Sequence, residues 1–275
     1  MDLPHQREAG EHAEDLTSEP EGVRFEDAPE LGGFWAVPPA APPAGAVLYL
    51  FGGGYVISAP RTRHKTAGHL ARAAGARVLV PDYRLAPEHP FPAALDDAVG
   101  AYHWLLGHGE APERTVVAGD SSAGGLAVAT LLRLRDAGGP LPAGAVAISP
   151  WVDLAVTGDT MRTRAAADVC ATPESLRRMA GQYLAGHDPR DPLASPLYGD
   201  LARLPPLLLL AGGDEVLLDD AVRLARATVE AGVDAELVLG GGMQHVYPLY
   251  VGAMPEADAA MEHIGAWIAR RVART

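Results

Sequence analysis

A short apolar run, Val116-Val117-Ala118, leads straight into Gly119-Asp120-Ser121-Ser122-Ala123-Gly124-Gly125. The apolar run reads as a strand. The small residues behind it let the backbone turn sharply into a helix, where a larger side chain would collide with the adjoining strand or helix. A serine at such a turn is held out to a reactant. Its hydroxyl is a poor nucleophile at neutral pH unless a base takes its proton and N–H groups face the charge that develops. The helix that starts here adds the positive end of its dipole. The pattern therefore predicts a strand–turn–helix unit and asks for a base, an acid and anion-stabilising amides elsewhere in the chain.

The rest of the sequence alternates in the same way. Strands are expected at Val23–Asp27, Phe34–Val37, Ala46–Phe51, Arg77–Val80, Thr115–Gly119, Gly144–Ser149, Leu207–Ala211 and Ala235–Leu239. Helices are expected at Thr62–Ala74, Phe91–Leu106, Ser122–Ala137, Leu217–Ala231 and Glu256–Val272, the last with Ile264, Trp267 and Ile268 on one face. Strands alternating with helices imply an α/β fold with a mostly parallel sheet covered on both faces. The alternation breaks between Trp151 and about Arg203, where only Pro173–Leu184 reads as a helix, so this block reads as an insertion. Residues 1–20 show no clear periodicity, with at most a short helix. No internal repeat and no low-complexity tract is evident.

Composition narrows the partners. The 275 residues suffice for one large α/β domain, and 48% are hydrophobic, enough for a substantial core. A net charge of −13 disfavours nucleic acid and anionic membranes, although its plainest role is solubility. Lys65 is the only lysine, which reads as coding bias rather than as a basic surface. With Cys170 alone, there is no internal disulfide and no cysteine-rich metal site. No run approaches the length of a membrane span, and positions 1–20 lack the apolar core of a signal peptide, so the cytoplasm is the expected location.

In such an architecture the chemistry gathers where strands end. One strand ends at Ser121, a second at Gly212-Gly213-Asp214, and a third runs through Gly240-Gly241-Gly242-Met243-Gln244 to His245. His245 would accept the Ser121 proton and return it to a leaving alcohol, and Asp214 would orient the imidazole and stabilise its cation. Glu215, Asp219 and Asp220 compete with Asp214; Glu215 lies one position past the strand exit and the other two fall within the helix. The run Gly52-Gly53-Gly54 would leave the amides of Gly53 and Gly54 facing an oxyanion, with Ser122 N–H as a third donor. No cofactor or metal is required. The order Ser, Asp, His is that of α/β-hydrolase triads.

Taken together, these segments resemble the hormone-sensitive-lipase family of α/β-hydrolase esterases, particularly its bacterial members (family IV). The likeness rests on Gly52–Tyr55, Asp82–Glu88 (D-Y-R-L-A-P-E), Gly119–Gly125 and the downstream pair Asp214 and His245, and it runs from about Val23 to the C-terminus. It implies the α/β-hydrolase fold over residues 1–275 as a single domain. An eight-stranded sheet would lie under a small helical cap drawn from about 1–20 and part of 151–203. It further implies a serine carboxylesterase acting on short- to medium-chain esters or lactones through an acyl-enzyme, and a homodimer as the form to test. Three departures stand out. Phe51 occupies the first position of the family's H-G-G-G motif and is expected to prop the loop by packing. Ala123 replaces a glycine of the serine motif, which leaves a shifted register with Ser122 as nucleophile as the alternative. The N-terminal segment is also short.

Each residue has a plainer reading. A serine in a glycine-rich turn is often structural or phosphate-binding, but the carboxylate of Asp120 would repel a phosphate. Asp82–Glu88 reads as a structural lock, its Tyr and Arg closing the strand exit. Tyr55, Trp151, Met161, Tyr183 and Tyr247 are candidate pocket walls, although aromatic and methionine side chains are core at least as often. The same triad would serve acyl transfer or amide hydrolysis. A non-catalytic ligand-binding protein on the same scaffold, or a damaged hydrolase, are the other readings.

Overall fold

The computed structural model describes residues 3–10, 12, 14–39 and 43–273. Its centre is one sheet of eight strands: β1 (Arg24–Ala28), β2 (Gly33–Val37), β3 (Ala46–Leu50), β4 (Arg77–Val80), β5 (Thr115–Asp120), β6 (Gly144–Ile148), β7 (Leu207–Gly212) and β8 (Ala235–Gly240). Their order is β1-β2-β4-β3-β5-β6-β7-β8. β2 pairs antiparallel with both β1 and β4, and every later pairing is parallel. Strands β3, β5, β6 and β7 are buried along their whole length, which explains why β3, β6 and β7 and the centre of β5 read as apolar runs rather than alternating ones. β8, at the edge, is half exposed.

The helices are α1 (Leu3–Gly10), α2 (His64–Ala74), α3 (Ala93–Gly107), α4 (Ser122–Asp136), α5 (Thr160–Thr163), α6 (Pro173–Leu184), α7 (Leu218–Glu230) and α8 (Pro255–Val272). α2 and α8 pack together over one face of the sheet, while α3, α4 and α7 cover the other, as right-handed crossovers require. Ile264, Trp267 and Ile268 point into the core from α8, the face expected from their spacing. Most element boundaries fall within a residue or two of those expected. The helix expected from Thr62 begins instead with a 3-10 turn, Pro60–Arg63, before α2.

The block from Trp151 to Arg203 contains no strand, and its longest helix is α6. α6 starts with a capping box: the Thr172 hydroxyl accepts from Ser175 N–H while Ser175 Oγ accepts from Thr172 N–H. Met179 on this helix lies against Gly54. α1 also reaches the same end of the sheet, where Arg7 donates to the Val56 carbonyl and pairs with Glu88. Part of the expected cap segment, residues 1, 2, 11 and 13, lies outside the described residues.

Leu210 is fully buried in β7 between two covered faces. Replacing it with alanine should cost about 2–5 kcal/mol, read as a lower urea midpoint with an unchanged denaturant slope.

Candidate active site

β5 ends in Asp120, and Ser121 follows at φ 57° and ψ −126°, a conformation that a side chain rarely adopts. The turn is fixed from three sides: Ser121 N–H donates to the Ile148 carbonyl, and its own carbonyl accepts from Gly124 N–H and Trp151 N–H. The glycines answer to contacts. A Cβ on Gly119 would lie 2.2 Å from the Ala123 carbonyl oxygen, and one on Gly125 would lie 2.2 Å from that of Trp151. Ala123 itself is buried without displacing the turn, so the extra methyl relative to the family motif is accommodated.

The candidate base comes from the loop after β8. His245 Nε2 lies 3.0 Å from Ser121 Oγ. Ser122 is turned elsewhere, with its hydroxyl 3.3 Å from the Tyr55 amide, so the geometry favours the register with Ser121 at the apex. The loop is pinned by Val246, whose N–H donates to Ser149 Oγ at 2.9 Å. Sequence reasoning passed over Ser149, which has no motif of its own.

The carboxylate that meets the histidine is not the one expected. His245 Nδ1 lies 2.7 Å from Glu215 Oε2, not beside Asp214. The other oxygen of Glu215 accepts from Gly212 N–H at 3.0 Å, and the side chain is completely buried. Asp214 instead gives its N–H to the Met243 carbonyl, and its carboxylate faces outward at 3.8 Å from Arg164. The cause is the turn after β7. Gly212 N–H draws in the carboxylate three positions on, and the additional methylene of glutamate spans the gap to the imidazole. A Cβ on Gly212 would meet the carbonyls of Met243 and Gln244, so the two loops approach closely only because it is glycine.

Burial pulls the His245 pKa down, but the hydrogen bond and charge of Glu215, with the charges of Asp168 and Asp120, outweigh it and leave it above 6.5. The surrounding carboxylates thus stabilise the imidazolium more than water would.

The glycine loop after β3 faces the same turn. Asp120 accepts from Gly52 N–H, from Tyr49 Oη at 2.8 Å and from Arg63 at 2.7 Å. A Cβ on Gly52 would lie 2.3 Å from Asp120 Oδ2. Gly53 has φ +136° and Gly54 has φ +62°, which glycine alone adopts without strain. Among the described residues, the hydrogen bonds of this loop use the amides of Gly52, Tyr55, Val56 and Ile57, and those of Gly53 and Gly54 take no part in them. Phe51 stacks on Tyr83 with ring centroids 4.2 Å apart, and Tyr83 Oη donates to the Phe51 carbonyl. Packing therefore holds the loop where the family motif has a histidine, and Arg84 pairs with Asp97 to close the segment that supplies Tyr83.

The candidate pocket aromatics are packed away. Tyr55 stacks on Tyr183 at 3.8 Å and 7°, with Trp151 tilted beside it. Tyr55, Trp151, Tyr183 and Tyr247 are all at most 3% exposed. They brace the loops from behind and offer almost no surface to a ligand, which corrects their reading as pocket walls. Met161 is buried as well. Among the described residues, no group of three or more His, Cys, Asp or Glu side chains is placed to hold a metal ion, and no helix is long and apolar enough to cross a membrane.

A strained serine at a strand–helix turn, bonded to a histidine from a later loop, defines an α/β hydrolase, and the comparisons agree. The chain belongs to the family described as having the alpha/beta hydrolase fold, whose model matches residues 47–249. It is 44% identical over 273 residues to an acetyl-hydrolase of Streptomyces hygroscopicus, covering 94% of this chain and 91% of that one. A crystal structure of an esterase from the bacterial hormone-sensitive lipase family superposes with a TM-score of 0.95 at 43% identity, over 99% of this chain and 92% of that one. An esterase/lipase from an uncultured bacterium matches with a TM-score of 0.93 at 39% identity, over 100% and 92%. Within the fold, this chain stands among the bacterial esterases of the hormone-sensitive-lipase family and is a carboxylic ester hydrolase.

Glu215→Ala should lower kcat by about 10³–10⁴-fold, whereas Asp214→Ala should stay within a few-fold of wild type in the same chromogenic ester assay. Asp120→Asn strands Arg63 in the interior and should cost about 3–5 kcal/mol of stability, measured by denaturant titration.

Proposed function

We propose that Ser121, His245 and Glu215 carry a two-step ester hydrolysis. The observation behind this reading is the hydrogen-bonded line from Ser121 Oγ through the imidazole to Glu215, at 3.0 and 2.7 Å. Ser121 attacks the ester carbonyl while Nε2 of His245 takes its proton, and Glu215 stabilises the imidazolium that forms. The carbonyl oxygen, now anionic, sits among the amides of Gly53, Gly54 and Ser122 at the positive end of α4. The imidazolium then protonates the leaving alcohol. A water molecule repeats the sequence on the acyl-enzyme, with His245 first as base and then as acid, and releases the carboxylic acid.

The substrate in this reading is an uncharged ester or lactone with a short to medium acyl chain. Met179 supports the size limit, since its thioether closes over Gly54 beside the proposed oxyanion site. α1 and residues 151–203 serve as the cap of a single domain, with Arg7 and Met179 as its contacts to the glycine loop. A cytoplasmic location and a homodimer belong to the same proposal; the half-exposed edge strand β8 supports the dimer.

Ser121→Ala should abolish turnover of short-chain p-nitrophenyl esters and labelling by a fluorophosphonate. Ser122→Ala should keep most of the activity. If the second variant is dead and the first active, the nucleophile is misassigned. Catalysis needs a neutral imidazole, so activity should fall as pH drops through the raised pKa of His245. The acid limb of kcat/KM should therefore lie above the ordinary histidine value near 6.5. A panel of esters differing only in acyl length should show turnover declining as the chain lengthens.

A further inference from the structure

The loop after α5 makes contacts that the triad alone does not explain. Asp168 is nearly buried, at 8% exposure, in a segment whose sequence carries no motif. Its Oδ1 accepts from Cys170 N–H at 2.8 Å and Ala171 N–H at 2.9 Å, which holds the loop in a tight turn. Its Oδ2 accepts from the buried amide of Val216 at 2.8 Å, the peptide directly after Glu215. The same loop grips the other arm of the site. Gln244, directly before His245, donates from Nε2 to the Ala167 carbonyl and accepts at Oε1 from Val169 N–H, both at 3.0 Å. Residues 167–171 thus join the acid-bearing strand exit to the base-bearing loop.

We propose that Asp168 is a positioning residue of the hydrolysis: through Val216 it fixes where Glu215 meets His245, and its buried negative charge helps to hold the imidazolium. The proposal rests on the Ser121–His245–Glu215 reading and deepens it. A carboxylate suits the place because three amides converge on it, and charge-assisted bonds of this kind are stronger than neutral ones. A negative charge at this buried place acts on the histidine with little solvent screening.

The charged and titratable groups around His245 are few. Glu215, Asp168 and Asp120 act on it as anions, and Asp120 is itself paired with Arg63. Arg164 and Asp214 face each other at 3.8 Å in the surrounding loops. The Cys170 thiol, pushed up to about 11 by burial and by the charges of Asp168 and Glu215, and the raised phenols of Tyr247 and Tyr250 are neutral where the enzyme would work. Of the anions, Asp168 is the one that touches neither His245 nor the serine turn.

The test compares pH profiles of p-nitrophenyl acetate hydrolysis for Asp168→Asn and Asp168→Glu against wild type. Removing the charge leaves the imidazolium less stabilised, so the acid limb of kcat/KM should move to lower pH in Asp168→Asn. kcat at the optimum should fall at least about tenfold from loss of alignment, with KM little changed. Asp168→Glu keeps the charge and should return the limb towards its wild-type position. An unmoved limb in a folded Asp168→Asn, whatever its rate, overturns the proposal. Should that variant fail to fold, Gln244→Ala cuts the same loop from the other arm while leaving the charge in place. It should lower kcat without raising KM, and a wild-type kcat there overturns the proposal. Ser121→Ala run in parallel separates the two failures: turnover surviving in that variant sinks the triad reading itself.

Discussion

Two charged side chains with almost no access to water, Asp120 and Arg63, meet at 2.7 Å between the end of β5 and the 3-10 turn before α2. Burial alone would push the Asp120 carboxyl up, but the Arg63 charge and hydrogen bonds from Arg63, Tyr49 and Gly52 bring it below the usual aspartate range. A buried pair of this kind is weak evidence of net stability, because desolvation takes back much of the attraction. What it does supply is placement. The residue before the serine is itself the carboxylate that holds the first residue of the glycine loop, so the proposed nucleophile and anion-stabilising amides share one anchor. Gly52 must then be glycine, since any side chain would strike that carboxylate. The same anchor explains why aspartate precedes the serine here.

Around this anchor the backbone holds unfavourable conformations. Ser121, Ser149 and Val246 all have positive φ, at 57°, 46° and 53°. Positions of this kind cost of order 1–3 kcal/mol each and persist only where neighbouring contacts over-determine them. Here the contacts are identifiable: Ile148, Gly124 and Trp151 hold Ser121, while Ser149 and Val246 hold each other through the hydroxyl. Stacked Tyr55 and Tyr183 and the fully buried Trp151 provide the rigid backing. Aromatics near an active site read from sequence as surface for a ligand, but here their surface is spent on neighbouring side chains.

The sheet was legible because the interior strands β3, β6 and β7 are runs of apolar and small residues and β5 carries Val116-Val117-Ala118 at its centre, with glycine close to each. The positions of Ser121 and His245 were legible because each follows a strand exit with small residues around it. The carboxylate that meets His245 was not, because adjacent Asp214 and Glu215 are equivalent at the level of spacing, and only the turn after β7 decides which one faces inward. Arg63, Ser149 and Asp168 were also invisible. None of them carries a motif, and each acts through a partner far away in sequence: 57 positions for Arg63 and Asp120, 97 for Ser149 and Val246, 48 for Asp168 and Val216. Local pattern carries no trace of such pairings.

The proposed use of glutamate as acid and the presence of Asp168 have one mechanical basis. A glutamate has one more rotatable bond than an aspartate, and left to itself it would lose more freedom on being aimed at a ring nitrogen. That freedom is removed in two stages. Gly212 N–H fixes one carboxylate oxygen, so the second can face only Nδ1 of His245. The backbone carrying the side chain is in turn held at Val216 by Asp168, and the loop bearing Asp168 is tied to Gln244 beside the histidine. The proposed acid and base are therefore referenced to the same short loop rather than to two independent strand ends. A displacement of that loop would carry both partners with it instead of opening the gap between them.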